Sequence, residues 1–206
     1  MAKNHKPKDY KPKDGVKVFI GIPIGETIYP KTALHLAHAF RTLRCNAALG
    51  TQASCDIVGN RIQLVNLAKE NNATHIMFID HDMHFAPSDV NPIERLLSHD
   101  KDIIGAWYNF RTRGTSPPPV GTPLEGIHTK EIFKCNVIGT GFLLIKMSVF
   151  QKFDEMKAHY FQFGRRGDGS LAWGEDAYFS QEAIKFGFDV WADPLVAIKH
   201  LGEYAY

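Results

Sequence analysis

Apolar positions along this chain follow two alternating spacings. Short apolar runs rich in β-branched and aromatic residues, bounded by glycine, proline or polar residues, predict buried strands. They lie at residues 16–23, 52–58, 74–80, 102–107, 131–137, 141–146 and 190–198. Apolar residues near the helical spacing predict helices over residues 31–49, 60–69, 88–98 and 176–186. Residues 111–130 are rich in proline, glycine and threonine, so they are predicted to form a surface connection.

Strands and helices alternate through the first half of the chain. This order predicts an α/β fold with a mostly parallel central sheet and helices on both faces, a three-layer α/β/α sandwich. In such sheets ligands bind beyond the carboxyl ends of the strands. Asp80 and Asp82 come at one such end, directly after an apolar run.

Composition narrows the class of protein. The chain has 206 residues, of which 44% are hydrophobic and 22% charged, an ordinary globular balance that predicts one domain. No apolar run is long enough to span a membrane and no secretory signal is recognisable, so a cytoplasmic protein is expected. Three widely spaced cysteines match neither a disulfide framework nor a CxxC zinc site.

The first residues differ from the rest in charge. Residues 1–17 contain six lysines and two aspartates, whereas the remainder carries a slight excess of acidic residues. We therefore expect a disordered basic tail over residues 1–15 and a single domain over residues 16–206. The tail either attracts a polyanion weakly or is simply solvated.

Asp80-His81-Asp82 is the first candidate for chemistry. In extended chain, two carboxylates two residues apart point to the same side. Such a pair can hold Mg²⁺ or Mn²⁺ while leaving coordination positions for phosphate oxygens and water. The alternative is a polar turn that ends the strand.

Two further clusters lie in the last third of the chain. Glu175 and Asp176 open a predicted helix, where they either take part in chemistry or only interact favourably with the helix dipole. His200 follows the last predicted strand and is either a metal ligand or a structural histidine.

In their order, these features resemble the GT-A class of nucleotide-sugar glycosyltransferases, especially small phage-type and bacterial relatives of the large inverting family. The resemblance covers about residues 16–202. It rests on five features: Asp80-His81-Asp82, residues 102–108, Gly139-Thr140-Gly141-Phe142, Gly174-Glu175-Asp176 and His200.

The resemblance implies a metal-dependent transfer of a sugar from a nucleoside-diphosphate-sugar to an acceptor hydroxyl, with inversion. By it, Asp80, Asp82 and His200 would hold Mn²⁺ or Mg²⁺ against the diphosphate. Asp176 would be the general base, and Glu175 would orient the acceptor or the base.

Donor-binding residues are also implied by the resemblance: Ile22, Pro23, Gly25, Arg61, Asp80, His81, Trp107 and Gly141. Three have structural alternatives. Arg61 could be a surface helix residue, Trp107 could pack in the core, and Gly141 could merely form a tight turn. A UDP-sugar is the favoured donor.

Residues 163–170 are rich in glycine and charge and precede the proposed base, as a lid that orders over a ligand would. Arg165 and Arg166 are expected to meet diphosphate or acceptor, together with Trp173 on the acceptor side. An ordinary flexible loop is the alternative.

The acceptor stays open between a hydroxymethylated pyrimidine in DNA and a surface polysaccharide, in the first case within the host cytoplasm of a phage-infected cell. Two other functions remain. A haloacid-dehalogenase-like phosphatase also carries Asp-x-Asp after an apolar strand, but on its first strand, whereas about four elements precede Asp80. A noncatalytic nucleotide- or sugar-binding module on the same fold is the third alternative.

Overall fold

A computed structural model describes residues 14–85, 90–109 and 120–201. The helices are α1 (Pro30–Thr42), α2 (Ile57–Glu70), α3 (Pro92–Ser98), α4 (Met147–Glu155) and α5 (Glu175–Lys185). The strands are β1 (Lys17–Ile24), β2 (Asn46–Ala53), β3 (His75–Ile79), β4 (Met83–His84), β5 (Ile103–Ala106), β6 (Gly121–Pro123), β7 (Phe133–Ile138), β8 (Phe142–Lys146), β9 (Gly164–Arg165), β10 (Leu171–Trp173), β11 (Val190–Asp193) and β12 (Lys199–His200). Across these ranges, every helix is too short or too polar to cross a bilayer.

The central sheet has eight strands in the order β2-β1-β3-β8-β5-β11-β7-β6. β1 pairs in parallel with β2 and β3, and β5 pairs in parallel with β11. β8 lies antiparallel between β3 and β5, and β7 lies antiparallel between β11 and β6. Six strands therefore share one direction, and the expected mostly parallel sheet is confirmed.

Helices cover both faces of this sheet. Side chains of α2, α4 and α5 pack into one apolar cluster, and those of α1 and α3 pack into a second. β3 shows why two clusters form, because successive strand residues point to opposite faces: Ile76 and Phe78 enter the first cluster, and Met77 and Ile79 enter the second. The predicted three-layer sandwich is confirmed.

The predicted helix over 31–49 and strand over 52–58 are wrong in their bounds. α1 ends at Thr42, and the second strand runs over Asn46–Ala53. β2 is an edge strand whose residues are all exposed or partly buried, so its sequence lacks the apolar alternation of a strand. It forms because it pairs with β1 along its whole length, which overrides the helix-like spacing of its alanine and leucine residues.

Helix α2 begins three residues before the predicted start, with Asp56 at the N-cap position. Asn60, at the predicted start, lies inside the helix. Its side-chain amide donates to the carbonyl oxygens of Ile24 at 3.3 Å and Ser54 at 3.1 Å. Asn60 therefore joins the end of β1 to the segment that follows β2.

Other differences concern the flanks. α3 begins at Pro92, and its cap is Asn91, whose side-chain oxygen accepts from Ile93 N at 2.9 Å. Residue 88, where the third predicted helix begins, residues 111–119 of the predicted surface connection and residues 1–13 of the predicted tail lie outside the described residues. Helix α4 was not predicted, because it follows β8 without a turn residue. Of the predicted extended stretch 190–198, only Val190–Asp193 is a strand.

Candidate active site

A tight turn follows β3 and carries the two aspartates. Asp80 N donates to the carbonyl oxygen of Gly141 at 2.9 Å, and Met83 N donates back to the carbonyl oxygen of Asp80 at 3.1 Å. The expectation that Asp80 and Asp82 lie in extended chain is therefore wrong. Asp80 is half-buried, and Asp82 is only 4% exposed. The turn follows the carboxyl end of β3. It therefore lies at the end of the sheet where the six strands that share one direction finish.

Arg61 joins this turn to helix α5. Its Nη2 donates to both carboxylate oxygens of Asp80, at 3.0 and 3.2 Å, and its Nε donates to Oε1 of Glu175 at 3.4 Å. The guanidinium carbon lies 5.3 Å from the ring centroid of Phe78. Arg61 is 1% exposed. The alternative of a surface helix residue is therefore wrong.

Glu175 and Asp176 occupy the first turn of α5, with Gly174 at the N-cap position. Asp176 Oδ1 accepts from Ala177 N at 2.7 Å. Burial raises the pKa of the Asp176 carboxyl, and the neighbouring Glu175 raises it further, against the opposing influences of the Ala177 N–H and Arg61. A carboxyl with a raised pKa is a stronger base once it is ionised, as a proton acceptor requires.

Tyr108, just beyond β5, packs against the glycines that precede β8. Its hydroxyl accepts from Gly141 N at 2.9 Å. A Cβ on Gly141 would lie 2.7 Å from the Tyr108 oxygen and 3.0 Å from Oδ2 of Asp80, and one on Gly139 would lie 2.6 Å from the same tyrosine oxygen. The two glycines therefore make room for Tyr108 beside Asp80. The Gly-x-Gly spacing was visible in the sequence, but its partner was not.

His200 reaches the turn through a two-stranded ladder. β12 pairs antiparallel with β4, so His200 lies opposite Met83, and Leu201 N donates to the carbonyl oxygen of Asp82 at 2.8 Å. The His200 ring stands edge-on to Tyr108, with centroids 4.9 Å apart. Its Nδ1 lies 2.8 Å from the carbonyl oxygen of Asn109. A carbonyl only accepts, so Nδ1 carries the proton and Nε2 of the neutral ring is left as an acceptor.

Asp80, Asp82 and His200 are residue types that bind divalent cations. Metal-binding histidines commonly donate their second ring N–H to a backbone carbonyl, as His200 does to Asn109. Carboxylate oxygens suit Mg²⁺ and Mn²⁺, which keep several positions for water and phosphate. In residues 14–85, 90–109 and 120–201, no three His, Cys, Asp or Glu side chains are arranged as a metal-binding group. A shared ion on Asp80, Asp82 and His200 stays a prediction.

The residues expected at the donor are only partly brought together. Ile22 and Pro23 lie buried in β1, and Gly25 is exposed in the loop that follows. His81 stacks on Tyr29 with ring centroids 6.1 Å apart, and Tyr29 N donates to the carbonyl oxygen of His81 at 3.1 Å. The loop after β1 therefore lies against the Asp80–Met83 turn.

Trp107, in contrast, is partly buried and packs against the apolar core. It packs edge-on against Phe133 with ring centroids 5.0 Å apart, beside the cluster covered by α2, α4 and α5. This contact corresponds to the core-packing alternative. Its neighbour Tyr108, rather than Trp107, faces Asp80.

The segment expected to act as a lid is a β-hairpin of β9 and β10. Arg165 Nη1 donates to the carbonyl oxygen of Gly169 at 2.9 Å, and Arg166 Nη1 donates to that of Leu171 at 2.5 Å. Both guanidinium groups therefore brace the hairpin itself. Trp173 is 46% exposed, and its indole lies against Gly164, where a Cβ would collide with the ring. The hairpin leads directly into Glu175 and Asp176.

Comparison with known proteins shows the fold. The sequence matches no known protein family and no curated protein. Among solved structures, the chain is similar to A197 from STIV, with a TM-score of 0.59 and 16% identity over 91% of this chain and 87% of that one. It is also similar to GalNAc-T7, solved with UDP, GalNAc and Mn²⁺, with a TM-score of 0.51 and 12% identity over 91% of this chain. The matched region is 44% of the GalNAc-T7 chain, so this chain spans less than half of that protein. The similarities show a GT-A-like α/β fold.

Proposed function

We propose that this protein is a metal-dependent glycosyltransferase that moves a sugar from a nucleoside-diphosphate-sugar to an acceptor hydroxyl with inversion. One observation carries the proposal. Arg61 joins Asp80, in the turn after β3, to Glu175, in the first turn of α5. A candidate cation-binding turn and a candidate proton acceptor therefore share one site at the ligand-binding edge of the sheet.

Asp80, Asp82 and His200 would hold the cation, Mn²⁺ or Mg²⁺. When bound, such an ion supplies a Lewis acid that offsets the negative charge developing on the departing diphosphate. Mg²⁺ and Mn²⁺ bound by a few protein ligands usually keep positions for phosphate oxygens and water. GalNAc-T7, whose fold is similar, was solved with UDP, GalNAc and Mn²⁺. That set of ligands supports a UDP-sugar and Mn²⁺ as the first pair to test.

Asp176 would take the proton of the acceptor hydroxyl. The acceptor oxygen then forms a bond to the anomeric carbon while the bond from that carbon to the diphosphate oxygen breaks, and the electron pair leaves with the diphosphate. Attack opposite the leaving group inverts the anomeric carbon. Glu175, held by Arg61, would keep the first turn of α5 in place beside the acceptor.

The acceptor would approach past the β9–β10 hairpin, where Trp173 exposes an indole face that can stack on a sugar ring or a base. Arg165 and Arg166 lie exposed on the same hairpin, where they outnumber its one acidic residue, Asp168. A nucleic acid and an acidic polysaccharide both suit such a surface. The two acceptors therefore remain alternatives for the assay to separate.

The test is a thermal-shift panel of nucleoside diphosphates and nucleotide-sugars, each with Mn²⁺, with Mg²⁺ and with chelator. A ligand that binds only the folded state raises the melting temperature. We expect a rise for UDP and a UDP-sugar that needs the metal. The matched control is Asp80→Asn, which should abolish the metal-dependent part of the rise. Absence of a rise with every nucleotide contradicts the proposal and favours a phosphatase.

A further inference from the structure

Arg61 is a buried cation between two carboxylates of different elements. Its helix, α2, packs against one face of the sheet. The side chain donates to Asp80, in the turn after β3, and to Glu175, in the first turn of α5. The guanidinium also rests on the Phe78 ring. A charge placed so deeply is tolerated only when it is paired, because removing an ion from water carries a large desolvation cost.

Burial separates Arg61 from any ligand. With 1% of the residue exposed, a phosphate or a nucleobase cannot contact the guanidinium in this conformation. Asp80 and Glu175 are more exposed, with 22% and 15% of their side chains accessible. The carboxylates therefore face the site, and the arginine lies behind them.

The fork of the guanidinium determines how the two carboxylates are held. Nη2 donates to both oxygens of Asp80, which restricts the orientation of that carboxylate, while Nε donates to Glu175. Each Asp80 oxygen keeps a further lone pair, so a cation can still bind on the opposite side. A lysine in the same place would supply charge but only one compact donor group.

We propose that Arg61 is a positioning residue that orients Asp80 for the cation and ties it to Glu175, so that the cation-binding turn and the first turn of α5 move as one unit. This inference rests on the proposed function, because it assigns Arg61 an effect on the cation that Asp80 would hold. It differs from direct contact of Arg61 with the nucleotide. The binding of a cation at Asp80 should then also reduce the mobility of α2 and α5.

Arg61→Lys tests the role because it keeps the charge and removes the fork. We expect the Mn²⁺ dissociation constant, measured without nucleotide by the electron paramagnetic resonance signal of free Mn²⁺, to rise about 10- to 100-fold, as for other residues that orient metal ligands. At saturating Mn²⁺ and donor, kcat should also fall. The matched control is Arg44→Lys, which alters another arginine forked onto a buried carboxylate, Glu94, outside the site.

Equal Mn²⁺ affinity in Arg61→Lys, Arg44→Lys and the unmodified protein would overturn the positioning role and leave the proposed function standing. If the unmodified protein binds neither Mn²⁺ nor any nucleotide, the proposed function fails and this inference fails with it. If Arg61→Lys does not fold, hydrogen exchange of the unmodified protein decides. Slower exchange in α2 and α5 on adding Mn²⁺ supports the link, and slowing confined to residues 80–85 overturns it.

Discussion

Arg61 and Glu175 are 114 residues apart in the chain, and Nε of one lies 3.4 Å from Oε1 of the other. The same guanidinium donates to Asp80, which directly follows the third strand of the chain. Through this one side chain the first half of the sequence and helix α5 meet beside the turn that follows β3. The predictions below concern the groups that surround this contact.

Asp176→Asn should lower kcat by a factor of about 10² to 10⁴, the usual contribution of a positioned general base. Asparagine keeps an oxygen that can accept from Ala177 N, so the first turn of α5 should stay in place. Steady-state transfer assays would measure kcat, and titration with the donor nucleotide would measure nucleotide binding separately. Asp189→Asn is the control, because it alters an exposed carboxylate that pairs with Lys134. Equal loss of nucleotide binding and transfer would argue against a base.

The raised pKa of Asp176 has a consequence for stability. The folded state binds this proton more tightly than the unfolded chain, so the associated stability is complete below the ordinary pKa of 3.8 and is lost as pH rises through the raised value. Asp176→Asn should therefore melt at a higher temperature than the unmodified protein at neutral pH, and the difference should shrink in acid. A melting series across pH checks this. A difference independent of pH would refute the stated cause.

Gly141→Ala should destabilise the fold by about 1–3 kcal/mol, as overpacking of a buried site does. The added Cβ would lie 2.7 Å from the Tyr108 oxygen and 3.0 Å from Asp80 Oδ2, and it would also contact Met83. Chemical denaturation measures the change. Gly167→Ala serves as the control, because its Cβ would meet no atom within 4 Å.

Tyr108→Phe combined with Gly141→Ala adds a second check of that contact. Removing the phenolic oxygen leaves space for the new Cβ, so the double variant should lose less stability than the sum of the two single variants. Strict additivity would mean that the Tyr108 oxygen does not limit the space at Gly141.

Asp193→Asn should cost about 3–5 kcal/mol, the range for breaking a buried ion pair. Asp193 is fully buried and accepts from Arg95 Nη2 at 3.2 Å, with His99 Nε2 at 2.9 Å. Burial alone would raise its pKa, but the bonds from His99 and Arg95 outweigh burial and hold the pKa below its ordinary value. The stability it supplies is present above the ordinary pKa and is lost as pH falls through the lowered one. Urea unfolding at neutral and acidic pH would measure the loss of stability in Asp193→Asn, with Asp189→Asn as the control.

His200→Ala should raise the Mn²⁺ concentration needed for half-maximal activity by at least about tenfold, since it removes a proposed ligand. Chelator should abolish transfer in the unmodified protein. His159→Ala is the matched control, because His159 is exposed. Unchanged Mn²⁺ dependence in His200→Ala would leave His200 as a structural partner of Tyr108 and Asn109.

The local sequence pattern was sufficient to locate a strand or helix where the burial of its residues agrees with their spacing. The run before Asp80, the run from residue 141 and the apolar face after Asp176 became β3, β8 and α5 within about two residues, because each is buried on its expected side. β2 was misplaced because an edge strand needs only backbone pairing, and backbone pairing leaves little trace in side-chain pattern.

From the sequence alone came the α/β class, the position of the Asp80-His81-Asp82 segment at a strand end, and the acidic start of α5, since these depend on local spacing and on the order of elements. Only the tertiary structure decided that the aspartates lie in a turn and that Arg61 is buried between Asp80 and Glu175. It also decided that Gly139 and Gly141 accommodate Tyr108. The reason is physical: a long side chain contacts residues on other elements. The spacing of residues along the chain does not indicate which residues those will be.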